Sequence, residues 1–392
     1  MKRFTASYLY TLEQPEPLVN AFVETDDSGR VLKTGVCPEG EIADEGIIVP
    51  GFVNAHCHLE LSHLKGKFAK GTGMAGFIDQ INSLRDSSSH EKKLSDIEKN
   101  LSEMYESGVS AMADISNCDD TFAAKSVSPM YTRTLLEVFG TEPEDCDGVM
   151  ESVKLLNSKA AEFGLDAAPT PHSCYTMSPE LLSASSAEAL KAGYLSYHSQ
   201  ESPEEEDMVG FGKGALWENR KRAGMSTPPV TGKPSLMYFL DRLAAVHPAP
   251  YNEHILLVHN VCLNSEAADA VKAVAKNVYF AVCPLSNIFI HNALPPIPLM
   301  REKGLKITVG TDSLSSNDCL SMVAELACLH SNFPEVPMTE LLVWACRNGA
   351  EFLSKEKELG TISVGKKPGI VRLENLGDDG FPAEGTVSVR LI

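Results

Sequence analysis

The tripeptide His56-Cys57-His58 closes an apolar run, IIVPGFVNAH at 47–56, whose composition suits a β-strand. Side chains alternate along a strand, so both imidazoles project from one face and Cys57 from the other, where it packs. Four more strand-like runs end on groups of the same kind: His172, His198, His259 and Asp312. Neutral imidazole nitrogens with a carboxylate are donors that hold Zn²⁺ or Fe²⁺ and leave a position open for water. One histidine at a strand end more often makes a structural hydrogen bond. Five histidines and an aspartate closing five different strands point instead to one shared mouth.

Eight apolar runs, at 47–56, 109–116, 130–140, 165–172, 194–199, 254–260, 277–283 and 306–312, must position them. Helical patterns alternate with these runs, among them SPELLSASSAEALKAG and SEAADAVKAVAKN, each opened by a serine fit for an N-cap. The alternation implies parallel pairing, and eight strands close a (β/α)8 TIM barrel, an α/β fold with its chemistry at the strands' C-terminal ends. A doubly wound open sheet competes, but it would more often show a Gly-rich phosphate loop after an early strand, and none is present. The barrel is expected over residues 49–355. Residues 1–48 and 356–392 read as short strands and Gly/Pro turns, joined into a small β-sandwich-like domain built from both chain ends. The stretch 201–235, with EEED at 204–207, is a long excursion suited to a lid over the mouth.

The chain of 392 residues carries 34 Lys and Arg against 53 Asp and Glu, a formal charge of −19. That balance argues against a nucleic-acid binder or an anionic membrane surface, both of which call for a basic face. No apolar run reaches the roughly 18 residues of a spanning helix, and the N-terminus lacks the apolar core of a signal peptide. The ten cysteines form no CxxC pair and read as reduced core thiols, which fits a cytoplasmic protein. The expected partner is a small molecule, and a homodimer is compatible with this reading.

PGFVNAHCH, HSQE, LLVHN, CPLSN and GTDS, in that order, resemble the amidohydrolase superfamily. The similarity is to its cytosine, guanine and S-adenosylhomocysteine deaminase and chlorohydrolase branch. HCHLELS and EVFG are also similar to aminodeoxyfutalosine deaminase-like members. The resemblance implies that His56, His58, His198 and Asp312 bind one divalent metal, Zn²⁺ or Fe²⁺. The fourth run offers no lysine to carboxylate and bridge a second ion. Two departures stand out. Val138 falls where S-adenosylhomocysteine deaminases carry an arginine for the substrate carboxylate, which weakens the case for that substrate. The usual GKxAD near the tail reads GKKPGI, a change expected to stay local.

The implied chemistry is deamination of an amino-substituted heterocycle, an adenine-type nucleoside or related purine, by hydroxide generated at the metal. Asp312 is expected to take the proton of the attacking water, and Glu201, in register with HxxE, to protonate a ring nitrogen. His259 would orient the hydroxide and stabilise the adduct. His172, Glu60 and Glu137 are substrate-binding candidates, although either glutamate can equally bond a ligand histidine. Ser286, Asn287, Ser315, Ser316 and Asn317 are weaker site candidates that read rather as loop caps, and Met74, Phe77, Trp217 and Phe289 could wall the pocket but read rather as core. Hydrolysis of a cyclic amide, imidazolone or chloro/amino-triazine at the same mononuclear site is the alternative. A catalytically silent scaffold is the rival from another class, and it predicts an eroded metal set.

Overall fold

The computed structural model describes all 392 residues. The run at 47–56 is two strands rather than one, because Gly51 breaks it. A Cβ on Gly51 would collide with Ser110 Oγ and the Pro368 carbonyl, so only glycine lets the chain step from one sheet to the other. Before the step, β4 (Ile47–Pro50) joins a six-stranded sheet with β1 (Lys2–Leu9), β2 (Leu18–Thr25), β3 (Val31–Val36), β13 (Ile370–Glu374) and β14 (Val387–Arg390). Both chain ends therefore share one sheet, in the order β14-β13-β4-β1-β2-β3. It is a single continuous ladder, whereas a two-layer sandwich was expected. β4 is paired on both edges, parallel to β1 and antiparallel to β13, which fuses the two ends into one layer.

After Gly51, β5 (Phe52–Cys57) opens a parallel sheet with β6 (Val109–Ser116), β7 (Tyr131–Val138) and β8 (Asp166–Pro171). A second parallel sheet holds β9 (Tyr194–Ser199), β10 (Tyr251–His259), β11 (Ala275–Val282) and β12 (Lys306–Val309). The two sheets meet at two seams. At one, the His198 amide donates to the His172 carbonyl (2.9 Å), and the Thr170 hydroxyl bonds the Ser196 carbonyl (2.8 Å). At the other, the Thr311 and Asp312 amides both donate to the His56 carbonyl (3.0 Å each). Both seams lie where the expected site residues sit, so the backbone that joins the sheets also sets the spacing of the imidazoles.

The intervening helices include α1 (Gly73–Leu84), α2 (His90–Glu106), α3 (Phe122–Val127), α4 (Cys146–Glu162), α5 (Pro179–Lys191), α6 (Pro203–Phe211), α7 (Ala215–Ala223), α8 (Ser235–Val246), α9 (Ser265–Val274) and α10 (Pro284–His291). Ser178 caps α5 through the Leu181 amide, as its sequence suggests. The cap of α9 is Asn264, one residue before the serine expected there. No helix is long and apolar enough to cross a membrane.

The excursion at 201–235 differs most from expectation. It folds into α6, α7 and a return to α8 beside the mouth, and only its first residue, Glu201, lines the pocket. The wall over the pocket comes from α1, which supplies Met74, Phe77, Ile78, Ile81 and Asn82. The acidic run 204–207 has structural work that composition could not reveal. Glu204 accepts from the first amides of α1, Glu205 from the Gln200 and Glu201 amides, and Glu206 from the Ser235 amide that opens α8.

Candidate active site

Burial brings the strand-end side chains together. The Nε2 atoms of His56 and His58 lie 3.2 Å apart, and Asp312 Oδ1 is 3.8 Å and 3.6 Å from them. The His198 ring centroid is 4.8 Å from that of His56 and 5.5 Å from that of His58. All four residues are at most 7% exposed. Burial first, and then the neighbouring imidazoles, hold His56 and His198 well below the ordinary histidine range. These are neutral rings, the ligand-competent form. Burial alone would raise the Asp312 carboxyl, but His58, His259, His56 and a hydrogen bond from Ser286 together pull it below the usual carboxylate range.

Cys57 lies in the hydrophobic core, on the opposite face from its two neighbours. At the far end of the strands the backbone is forced: His259, Asn260 and Asp312 adopt φ of 72°, 58° and 55°. Left-handed backbone at non-glycine residues costs on the order of 1 kcal/mol or more and is typical of functional positions.

The donor set meets a direct test of metal fit. Two imidazole nitrogens 3.2 Å apart face a carboxylate oxygen, a converging set of nitrogen and oxygen donors of the kind that holds a divalent cation. His56 Nδ1 and His198 Nδ1 are buried without hydrogen-bond partners. Three histidines and an aspartate suit a divalent ion of borderline softness.

Around this cluster, Glu201 is 3% exposed, and its Oε2 accepts from the Tyr175 hydroxyl (2.7 Å). Burial raises its carboxyl well above the ordinary range, and the Asp312 charge adds to the rise. Glu201 Oε1 faces His259 Nε2 at 3.4 Å. On the other side of that ring, Asn287 Nδ2 lies 3.1 Å from Nδ1 and donates to it, which leaves the imidazole proton on Nε2. Burial takes the His259 pKa down to about 4 and the His172 pKa to about 3. His172 stacks on His198 at 4.4 Å, with its Nδ1 against the Ser173 and Thr176 hydroxyls.

The two glutamates expected near the substrate part company. Glu137 lines the pocket, with Oε1 at 3.4 Å from His198 Nδ1. Burial raises its carboxyl well above the ordinary range. Glu60 turns away and does not line the pocket. Its Oε1 bonds Arg85 (3.0 Å), while Oε2 accepts from the Asn117 amide (2.8 Å) and the Cys118 thiol. Its oxygens are already occupied, so the structure replaces a substrate contact with an anchor for Arg85.

Several residues set down as caps or core carry more. The hydroxyls of Ser286 (2.6 Å) and Ser316 (2.8 Å) both donate to Asp312 Oδ2, leaving Oδ1 to face the imidazoles. Met74 and Phe77 line the pocket, whereas Trp217 and Phe289 do not. Tyr175, Thr176, Phe139, Asn82 and Arg85 also line it and were not anticipated. Tyr175 sits in PHSCYTM three residues after His172, a proximity that the sequence did offer. Val138 is buried core, and Arg85 is the cation of the pocket, contributed by the end of α1. Ser286→Ala is expected to lower kcat about ten-fold, as loss of a group bonded to an active-site carboxylate does. Steady-state kinetics with metal analysis check this, and an unchanged kcat would leave Ser316 as the sufficient donor.

The sequence model of the amidohydrolase family matches residues 47–382. The chain belongs to the amidohydrolase family. Among relatives of this amidohydrolase, an adenosine deaminase from Helicobacter pylori is 27% identical over 340 residues, covering 84% of this chain and 79% of that protein. The crystal structure of H. pylori aminofutalosine deaminase with methylthio-coformycin superposes with a TM-score of 0.78 at 24% identity, over 96% of this chain and 93% of that one. The zinc complex of atrazine chlorohydrolase from Arthrobacter aurescens gives 0.73 at 18%, over 98% and 91%. These superpositions speak for a shared fold.

Proposed function

We propose that this amidohydrolase deaminates an adenine-type nucleoside at a single divalent metal ion. The observation that carries the reading is Glu201, a buried carboxyl with a raised pKa beside Asp312 and the histidine cluster. An amino-purine ring accepts a nucleophile poorly until a ring nitrogen is protonated, and a neutral acid next to the reacting carbon supplies that proton. The names of the H. pylori adenosine deaminase and aminofutalosine deaminase support the same substrate class.

His56, His58, His198 and Asp312 would hold the ion, with zinc favoured over iron by the zinc complex of the chlorohydrolase. When bound, it would supply Lewis acidity and lower the pKa of a water toward neutrality. Asp312, its Oδ2 held by two serine hydroxyls, would take the proton of the attacking water and return it to the departing ammonia. His259 presents its Nε2–H to the oxygen that develops charge. Glu137 lies beside His198, while His172, Tyr175 and the apolar face of α1 enclose the base. The two parallel sheets and their seams support one closed eight-stranded barrel over 49–355, with 1–48 and 356–392 as a second domain. The ten free cysteines fit a cytoplasmic setting.

An ammonia-release assay over purines, pyrimidines and nucleosides tests the reading, with amides, lactams and chloro-triazines in parallel. Release from adenine-type nucleosides is expected. Turnover of amides or triazines alone would overturn it in favour of the alternative hydrolysis. Chelation should abolish turnover and Zn²⁺ should restore it. Activity retained without metal, or near-zero metal per chain after purification without chelator, would refute the assignment.

A further inference from the structure

The histidine–aspartate cluster is almost wholly buried, and α1 forms one wall of the pocket that leads to it. Along that wall only Met74 and Ala75 are fully buried, while Phe77, Ile78 and Ile81 are half-buried against the core. It follows a segment punctuated by Gly66 and Gly71, both at φ 71°, where a side chain would meet no neighbour. Its two ends are tied to the two loops that carry the chemistry. At the C-terminal end, Arg85 Nη2 donates to Glu60 Oε1 (3.0 Å), two residues after His58. At the N-terminal end, the Met74 amide donates to Glu204 Oε1 (3.2 Å) and the Ala75 amide to Oε2 (2.9 Å), three residues after Glu201.

We propose that Glu204 is a positioning residue, whose carboxylate latches α1 in the conformation that binds substrate and couples this wall to the Glu201 segment. A carboxylate at a helix start satisfies amides that would otherwise lack partners, and its charge complements the helix dipole. Gly73, whose left-handed backbone already favours glycine, also leaves room for this contact. Its φ is 69°, and a Cβ there would collide with Glu204 Oε1. The carboxylate therefore occupies space that any other residue at 73 would fill. An ordinary cap comes from the residues just before its helix, whereas this carboxylate reaches α1 from a helix 129 positions away. Opening of the latch frees α1 at the glycine segment and unmakes the apolar wall without touching the ligands, Glu201 or Asp312.

The effect on substrate affinity rests on the deaminase reading, whereas the latch itself can be read without turnover. The experiment uses the metal-replete full chain, with Glu204→Ala, Glu204→Gln, Gly73→Ala and the Gly73→Ala/Glu204→Ala pair. Amide hydrogen exchange over residues 73–84 and steady-state kinetics on adenosine are measured for each. Glu204→Ala is expected to speed exchange at the start of α1 about ten-fold and to raise KM about ten-fold, with kcat within about two-fold and metal content unchanged. Gly73→Ala adds backbone strain at φ 69° as well as the clash, so it should be at least as impaired as Glu204→Ala, and removing the carboxylate in the pair should relieve only the part due to the clash. Glu204→Gln, which keeps an acceptor and loses the charge, should fall between. Wild-type exchange rates in Glu204→Ala, or a lowered Tm with KM unmoved, would overturn the proposal. If the wild type does not turn over adenosine, the functional reading has failed for that substrate, and exchange alone decides the latch.

Discussion

Replacing Asp312 with asparagine is expected to cut kcat by about 10³-fold or more while the fold persists, as loss of both a proton acceptor and a charge does. The geometry explains the size of the effect. Ser286 and Ser316 saturate Oδ2, so Oδ1 is the atom that faces His56 and His58. The histidines around it lower the Asp312 pKa, keeping it a carboxylate ready to accept a proton. An amide of the same shape keeps the packing and cannot take the proton. Because Asp312 would also bind metal, the rate is to be compared in samples brought to full occupancy with Zn²⁺, alongside circular dichroism. A near-normal kcat at full occupancy would remove Asp312 from proton transfer.

Glu201→Gln is expected to lower kcat by about 10²–10⁴-fold with metal content near that of the wild type. In the proposed role Glu201 acts as the neutral acid, and burial raises its pKa well above the ordinary carboxyl range. The sign follows: activity that depends on this proton is present below the raised pKa and is lost as pH rises through it. The wild-type kcat/KM profile should therefore fall on its basic side, and the glutamine variant should lose that limb. Loss of metal with the rate preserved would recast Glu201 as structural. The Tyr175 hydroxyl also bonds this carboxylate, so Tyr175→Phe provides a milder perturbation of the same limb.

The run 204–207 shows why sequence and structure weigh the same residues differently. Four adjacent acids read naturally as a solvated, charge-bearing face. In the fold, Glu204 reaches Met74 and Ala75, Glu205 holds the Glu201 amide, and Glu206 caps α8. Two of these contacts span 129 and 29 positions in the chain, which no local pattern encodes. Glu60 and Glu137 teach the same lesson in reverse. Both sit near strand ends, yet Glu60 bonds Arg85 and the Asn117 amide while Glu137 faces His198 and the pocket.

The gathering of strand-end histidines with Asp312 and the alternation of strand and helix were legible in the sequence, because both depend on local periods; the choice of four of them as ligands rests on the family resemblance. A period of two puts His56 and His58 on one face, and parallel pairing carries His198 and Asp312 to the same end. What only the tertiary structure decided lies between elements: that Gly51 splits the first run between two sheets, that Ser286 and Ser316 hold Asp312 Oδ2, and that α1 forms the pocket wall. Each depends on which distant atom fills a space or satisfies a buried polar group. That choice is made by packing in three dimensions, where burial makes an unpaired donor or acceptor costly.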